Sequence, residues 1–512
     1  MIAADVVDAL VRRCHERGTD VVLRETSGRA FTGEAFATRV TALAAGFVRA
    51  GLQPGDRVLF AVRPSGEAIA LILAILWAGG VVVAADLGMR DELFFARMSL
   101  VQPRWVVAES VLLALSRWDP VRPLLRRRGL ALPPLASLAG CRTLRVGPGW
   151  FGPSADDLVA SAPVAGRVPT LGCVDGLLPT LGCEAPAFIV FTSGTTAAPK
   201  AAVHTQGSLG ASVEILANTL NLDACDVVYS GELHAIVPAL LAGARVIVPR
   251  YRRFGAPRFV SDVARFGVTH VFGTPSDFAS LIGRFTLPDH VRAVLLGAAP
   301  VDRTFLTRFR GVVSSTTEVW SVYAMTEMLP VARVRMEDKV AERRLGDLVG
   351  APFAEVQARL APDGELLLRG PHLFRGYLGQ PPVQEHATGD LATFDAAGRL
   401  VLLGRKKDMI IRGHDNIYPG LYEPTLAAVP GVRRCSLVGV YREVAADEEV
   451  VLVVEAEPGV DACTLEARLR LEVERMDALA RPDRIVFGEI PLSGRSRKVD
   501  KRMLLQWLRQ AS

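Results

Sequence analysis

From Ala68 to Ala85 the chain reads AIALILAILWAGGVVVAA, 18 residues without a charge. Water drives such a run out of solution, so it must cross a membrane or lie inside a large core. Gly79-Gly80 decides between the two. The pair separates a half rich in helix formers from a Val-rich half, and the run reads as helix, turn and buried strand of an α/β core. No transmembrane segment is expected. The flanks agree. Pro54-Gly55-Asp56 is a turn signal before the strand Arg57–Val62, a helix is predicted from Gly66, and a strand from Val81. Upstream, Thr32-Gly33-Glu34 opens another helix. Strands alternating with helices imply a mostly parallel sheet.

The pattern changes twice. Residues 111–185 carry Arg126-Arg127-Arg128, Pro133-Pro134 and a Pro-Thr-Leu-Gly-Cys string at 169–173 and again at 179–183. They are expected to form an irregular surface insert. From 186 to about 300 the α/β alternation returns, with strands at Val227–Tyr229 and Ala244–Pro249 and strand-then-turn units at Thr269–Pro275 and Ala293–Pro300. Residues 345–404 look antiparallel, because Asp363-Gly364 is a hairpin signal between two strand-like runs and Asp395–Gly398 lies between two more. A charged stretch, Gly404-Arg405-Lys406-Lys407-Asp408, follows. It sets the expected boundary between a domain of residues 1–404 and a small mobile α+β domain of residues 405–512, which ends in a helix over Lys501–Gln510. A length of 512 residues is in keeping with more than one core.

Composition excludes several function classes. A net charge of +5 over this length, without zinc-finger spacing or basic-aromatic interleaving, argues against a nucleic-acid partner. The seven cysteines, at 14, 141, 173, 183, 225, 435 and 463, are odd in number and include no CxxC. They suggest reduced thiols in a cytoplasmic protein rather than a disulfide framework or structural zinc. No secretory signal is evident at Met1–Asp5.

The segment Pro186–Lys200, PAFIVFTSGTTAAPK, carries the chemistry. Phe188–Phe191 reads as a buried strand that stops abruptly in Thr192-Ser193-Gly194-Thr195-Thr196. Backbone N–H groups and hydroxyls beyond a strand, with Lys200 close by, suit a phosphate. An ordinary Ser/Thr-rich turn has the same five residues, and the GxxxxGK[ST] spacing is absent. The longer string, in order with Gly297-Ala298-Ala299-Pro300, Tyr323-Ala324-Met325-Thr326-Glu327, Thr388-Gly389-Asp390 and Gly404-Arg405, resembles the adenylate-forming ligases: acyl-CoA synthetases, luciferases and adenylation domains. The resemblance covers nearly the whole chain.

The resemblance implies activation of a carboxylate, expected to be a fatty acid, by ATP with Mg²⁺, giving acyl-AMP and pyrophosphate. It assigns the phosphates to Thr192, Ser193, Gly194, Thr195, Thr196, Lys200 and Thr326, the adenine to Gly297, Ala298, Ala299, Pro300 and the Tyr323 ring, and the ribose to Asp390 and Arg405. Glu327 would hold the metal, and Lys406, Lys407 and Asp408 would form a hinge. Thr192, Glu327 and Lys498 would be catalytic. Lys498 is chosen over Arg495, which follows Ser493-Gly494, because a point charge suits a bridging oxygen better than a planar fork. His234 falls near the family's acyl-pocket segment, where a satisfied core or loop histidine serves equally. Ala197, Ala201 and Ala324 stand where the family has glycine, and Arg497 also departs from its pattern. Leu421 replaces one acidic position, and Glu423 fits the next. The second step stays open between transfer to CoA or a carrier thiol and β-lactone closure of a 3-hydroxy acid. The latter rests on a narrower resemblance of Arg63–Ser65, Asp86–Met89 and Thr326–Val331 to olefin-pathway β-lactone synthetases. A non-catalytic adenylate-binding protein is the alternative of another class.

Overall fold

A computed structural model describes residues 2–84, 91–117, 134–135, 138, 140–148, 153–160, 176–191, 199–249, 255–342, 344–412, 415–442, 447–493 and 498–510. The uncharged run folds as helix Gly66–Trp77, turn and strand Val81–Ala84. Ser65 caps the helix by accepting the Ala68 N–H at 3.1 Å, and Gly79 supplies the left-handed turn at φ +82°. All twelve helix residues are buried. Each large apolar side chain there contributes about 1.5–3 kcal/mol by leaving water. This helix lies in the largest apolar cluster of the described residues. No helix among the described residues is long and apolar enough to cross a membrane.

The fold is α/β with two large sheets. One has seven strands, in the order Gly376–Tyr377, Ala201–Thr205, Pro186–Phe191, Val81–Ala84, Arg57–Ala61, Trp105–Glu109 and Arg142–Val146. The other has thirteen and changes character in the middle. From Val21–Glu25 to Glu318–Met325 its strands are parallel. From Met328–Arg335 outward they are antiparallel, through Asp347–Pro352, Leu400–Arg405, His386–Phe394, Glu365–Arg369 and Gln357–Leu360. The antiparallel strands of 345–404 therefore continue the parallel sheet. Beyond them, Val432–Arg442, Asp447–Ala456 and Arg484–Phe487 form a three-stranded sheet, and the last helix spans Lys501–Gln510.

Two expectations need correction. Residues 111–185 are irregular only in part where described: 176–185 form turns and bends without helix or strand, but three regular elements lie upstream. Helix Ser110–Arg117 enters the segment, strand Arg142–Val146 extends the seven-stranded sheet parallel to Trp105–Glu109, and helix Ala155–Ala160 follows. The strand buries only Leu144, so as an edge strand it lacks the apolar alternation that would betray it. Arg126–Arg128, Pro133 and the first Pro-Thr-Leu-Gly-Cys copy lie outside the described residues. Strand Pro186–Phe191 is also less buried than expected. Ala187 and Ile189 face the core, whereas Phe188, Val190 and Phe191 are half-buried.

The parallel strands are held from below by a buried polar knot. Asp226 is 1% exposed and takes Thr269 Oγ1 at 2.8 Å and the Arg292 guanidinium, while His270 Nδ1 bonds Thr269 Oγ1 at 2.8 Å and lies 3.3 Å from the carboxylate. Burial, opposed by Asp223 and Glu318, pushes the His270 pKa from 6.5 down to about 4. The unfolded chain therefore binds this proton first, and stability falls as pH drops from 6.5 towards 4. Between pH 7 and 5 the native protein should lose about 2 kcal/mol more than His270→Gln. Thermal midpoints of the two proteins at both pH values check this, and parallel losses would refute it.

Candidate active site

The strand Glu318–Met325 lies where the large sheet switches from parallel to antiparallel. It turns at Thr326-Glu327 into Met328–Arg335. This hairpin brings the distant motifs together. Tyr323, on the outgoing strand, donates its hydroxyl to Asp390 Oδ2 at 2.6 Å. Asp390 sits in strand His386–Phe394, opposite Arg405 of Leu400–Arg405, with the Arg405 Nε 2.5 Å from its Oδ1. Asp390 is 4% exposed and is a strand residue, although Gly389 before it takes φ +72°. Burial, then the Asp390 charge, pushes the Tyr323 pKa well up, so the phenol remains the donor.

A second group adjoins the first. Tyr377 donates its hydroxyl to Glu327 Oε1 at 2.6 Å, and Lys200 Nζ stands 5.2 Å from the centre of its ring. His204 bonds the Thr326 carbonyl at 2.8 Å. His386 is close enough to feel the charges of Glu327, Lys200 and Asp390, and burial holds its pKa down. Residues 192–196 lie outside the described residues, so the five hydroxyl-loop positions are not placed. Their flanking strands pair antiparallel, with Phe191 opposite Ala201. The strands before the other candidate loops belong to the other large sheet.

Gly297-Ala298-Ala299-Pro300 follows strand Ala293–Leu296, the parallel neighbour of Glu318–Met325. Ala298 adopts φ +59°, a conformation unusual for a residue with a Cβ and often found where backbone is shaped for a ligand. His234 opens helix Leu233–Leu241 and meets the Phe272 ring edge-on, 4.4 Å between centres. The Gly297 Cα faces the same ring, since a Cβ there would lie 3.5 Å from it. The buried His234 Nε2 has no hydrogen-bond partner among the described residues. Burial lowers its pKa, which leaves the ring neutral. Among the described residues, nothing satisfies that nitrogen.

Arg405 ends its strand, and Lys406–Asp408 form one 3-10 turn. Lys406 Nζ bonds Asp363 Oδ2 at 2.6 Å and Glu365 Oε2 at 2.8 Å, which raises its pKa. The other Glu365 oxygen accepts the Gly389 N–H at 2.9 Å. A single carboxylate thus joins the expected hinge to the residue before Asp390. Lys498 pairs with Ser493 in a two-stranded hairpin, and residues 494–497 between them lie outside the described residues. Glu423 does not join the site. It accepts from Leu437 N at 2.8 Å, Ser436 Oγ at 3.1 Å and Lys501 Nζ at 2.9 Å.

Sequence reasoning missed Tyr377, His386 and His204. Tyr377 is 50 residues from Glu327 and nearer still in sequence to Asp390 than to Lys200, so no local spacing marks it. No group of three or more His, Cys, Asp or Glu side chains among the described residues could hold a metal alone. One carboxylate, Glu327, does fit Mg²⁺, which is commonly held by one or two carboxylates and completed by substrate phosphates.

The sequence profile of the AMP-binding enzyme family matches residues 10–378. Feruloyl-CoA synthase from Amycolatopsis sp is 30% identical over 444 residues, covering 81% of this chain and 81% of that protein. Olefin beta-lactone synthetase from Stenotrophomonas maltophilia is 28% identical over 454 residues, covering 78% and 77%. The solved structure of the amide bond synthetase McbA from Marinactinospora thermotolerans matches with a TM-score of 0.79 at 24% identity, covering 98% of this chain and 99% of that one. That likeness establishes the fold.

Proposed function

Because the chain belongs to the AMP-binding enzyme family, we propose that it is an ATP-dependent ligase that activates a carboxylic acid as acyl-AMP. The observation that carries this reading is the joined array Tyr323–Asp390–Arg405 beside Lys200–Tyr377–Glu327. Asp390 offers two acceptor oxygens to a ribose diol, and Arg405 pairs with it. The Tyr323 ring and the Gly297–Pro300 backbone border the adenine. Lys200 and Thr326, with Thr192–Thr196, take the phosphates. Glu327 would hold Mg²⁺, which supplies charge neutralisation when bound.

The acid's carboxylate oxygen attacks the α-phosphorus. The bond to the bridging oxygen breaks, and pyrophosphate leaves with the electron pair. Both partners are anions, so the step needs fixed cations and orientation. Lys498 is assigned to that charge, and Lys406–Asp408 to the hinge that swaps the small domain between half-reactions. His234, its ring neutral beside Phe272 and its Nε2 without a partner among the described residues, is assigned to the acyl side.

For the second step, transfer to CoA or a carrier thiol is the preferred reading. The thiolate attacks the acyl carbonyl, AMP departs, and the thiol proton goes to solvent. The likeness to an olefin beta-lactone synthetase favours a second reading, in which the 3-hydroxyl of the same acid attacks the acyl carbonyl, loses its proton to solvent and closes a four-membered ring as AMP departs. Pyrophosphate release tests both. The assay uses ATP and Mg²⁺ with plain fatty acids, 3-hydroxy fatty acids and hydroxycinnamic acids, first without CoA. The thioester reading expects a burst of about one equivalent per enzyme that resumes on adding CoA. Sustained turnover with 3-hydroxy acids alone would replace it with ring closure. Absence of release with every acid, with and without CoA, would sink the ligase reading for these classes.

A further inference from the structure

Tyr377 lies in a strand of only two residues, Gly376–Tyr377, at the edge of the seven-stranded sheet. The short strand is firmly stitched. Arg375 N–H donates to Val203 O and Leu378 N–H to Ala201 O, each at 2.8 Å. Phe374 N–H donates to the Glu327 carbonyl at 2.8 Å, so the segment is tied to the Thr326-Glu327 turn as well. Gly376 takes φ +144°, and a Cβ there would come within 2.9 Å of the Pro381 carbonyl. The Phe374 ring packs edge-on against Tyr377, 5.0 Å between centres. Backbone and ring are therefore fixed before any ligand arrives.

Two faces of this one side chain meet two different charges. The hydroxyl grips one oxygen of Glu327, and the ring face receives the Lys200 ammonium. A carboxylate pinned through one oxygen presents the other in a set direction, which matters for a cation as strict in its geometry as Mg²⁺. A lysine on four flexible bonds gains a preferred station over an aromatic face. Nothing else about the position demands a phenol. For packing against Phe374, phenylalanine would serve as well.

We propose that Tyr377 is a positioning residue of the nucleotide site, its hydroxyl aiming Glu327 at a divalent cation and its ring stationing Lys200 for a phosphate. The proposal rests on the assignment of Glu327 and Lys200 to that site.

Calorimetric binding separates the two faces. ATP is titrated in EDTA, and magnesium chloride is then titrated at saturating ATP, into the full chain and its Tyr377→Phe, Tyr377→Leu and Glu327→Gln variants. Tyr377→Phe keeps the ring. It should bind metal-free ATP within about twofold of the native protein and need about tenfold more Mg²⁺ for half-saturation, in line with losses at groups that orient metal ligands. Tyr377→Leu should show the same metal defect and also bind metal-free ATP several-fold more weakly. Melting temperatures report whether each variant is folded, and the Phe variant keeps the test alive should the Leu variant fail. A Phe variant with native Mg²⁺ dependence overturns the proposal. So does an equal loss with and without metal, which marks general packing. If Glu327→Gln shifts the Mg²⁺ requirement while Tyr377→Phe does not, only the role of Tyr377 falls. If Glu327→Gln also leaves it unchanged, the assignment of Glu327 falls with it.

Discussion

Lys498→Ala should slow acyl-AMP formation about 10²- to 10³-fold and leave ATP affinity within a few-fold. On the proposed assignment, its charge acts when carboxylate and α-phosphate approach and repel each other. Losing one such oriented group in a water-poor site costs about 2.7–4 kcal/mol of transition-state stabilisation. Lys498→Arg should not restore the rate, because a planar fork does not replace a compact ammonium. Acid-dependent exchange of labelled pyrophosphate into ATP reads the first half-reaction directly, and calorimetry reads ATP binding. Arg495→Ala is the control that decides the assignment. If that variant carries the loss and Lys498→Ala does not, the catalytic cation is the arginine after Ser493-Gly494. Equal, small losses in both would reduce the segment to a solvated basic run.

Asp390→Ala should lower kcat/KM for ATP about a hundredfold and destabilise the fold by about 1–3 kcal/mol. On the proposed ribose assignment, the first effect follows from two hydrogen bonds to the carboxylate, each contributing about 1.5 kcal/mol or more. The second follows from geometry. The side chain is buried, and its removal strands the Tyr323 hydroxyl and one face of Arg405. Arg405 is 45% exposed and can turn to water, which keeps the stability cost at the low end of what a buried pair would show. Asp390→Asn retains one acceptor oxygen and should fall between. The two effects separate on temperature. Assayed well below the variant's melting point, a merely structural Asp390 would leave KM for ATP unchanged, whereas a ribose ligand would not.

The second large effect could be anticipated from Thr388-Gly389-Asp390 alone, but its partner Tyr323 lies 67 residues away on another strand. The same division runs through the whole chain. Local signals were legible. The uncharged run with its glycine pair became helix, turn and strand, and Asp363-Gly364 became a hairpin between Gln357–Leu360 and Glu365–Arg369. Thr32 became a helix cap, its hydroxyl accepting from Ala35 N–H at 3.2 Å. Each depends on residues within a few positions of one another, where propensity and turn chemistry act. The edge strand Arg142–Val146 was not legible, because burying one side chain leaves no period to read.

The sequence by itself determined the α/β class, the family and the order of the motifs along the chain, since these are written in short strings. The tertiary structure alone decided that the antiparallel strands prolong the parallel sheet through Asp347–Pro352, and that Lys406 is clasped by Asp363 and Glu365. It also placed the Tyr377 hydroxyl on Glu327 and its ring under Lys200. Strand neighbours far apart in sequence are chosen by ladder hydrogen bonds and burial summed over the whole sheet, and no local pattern of residues encodes that sum.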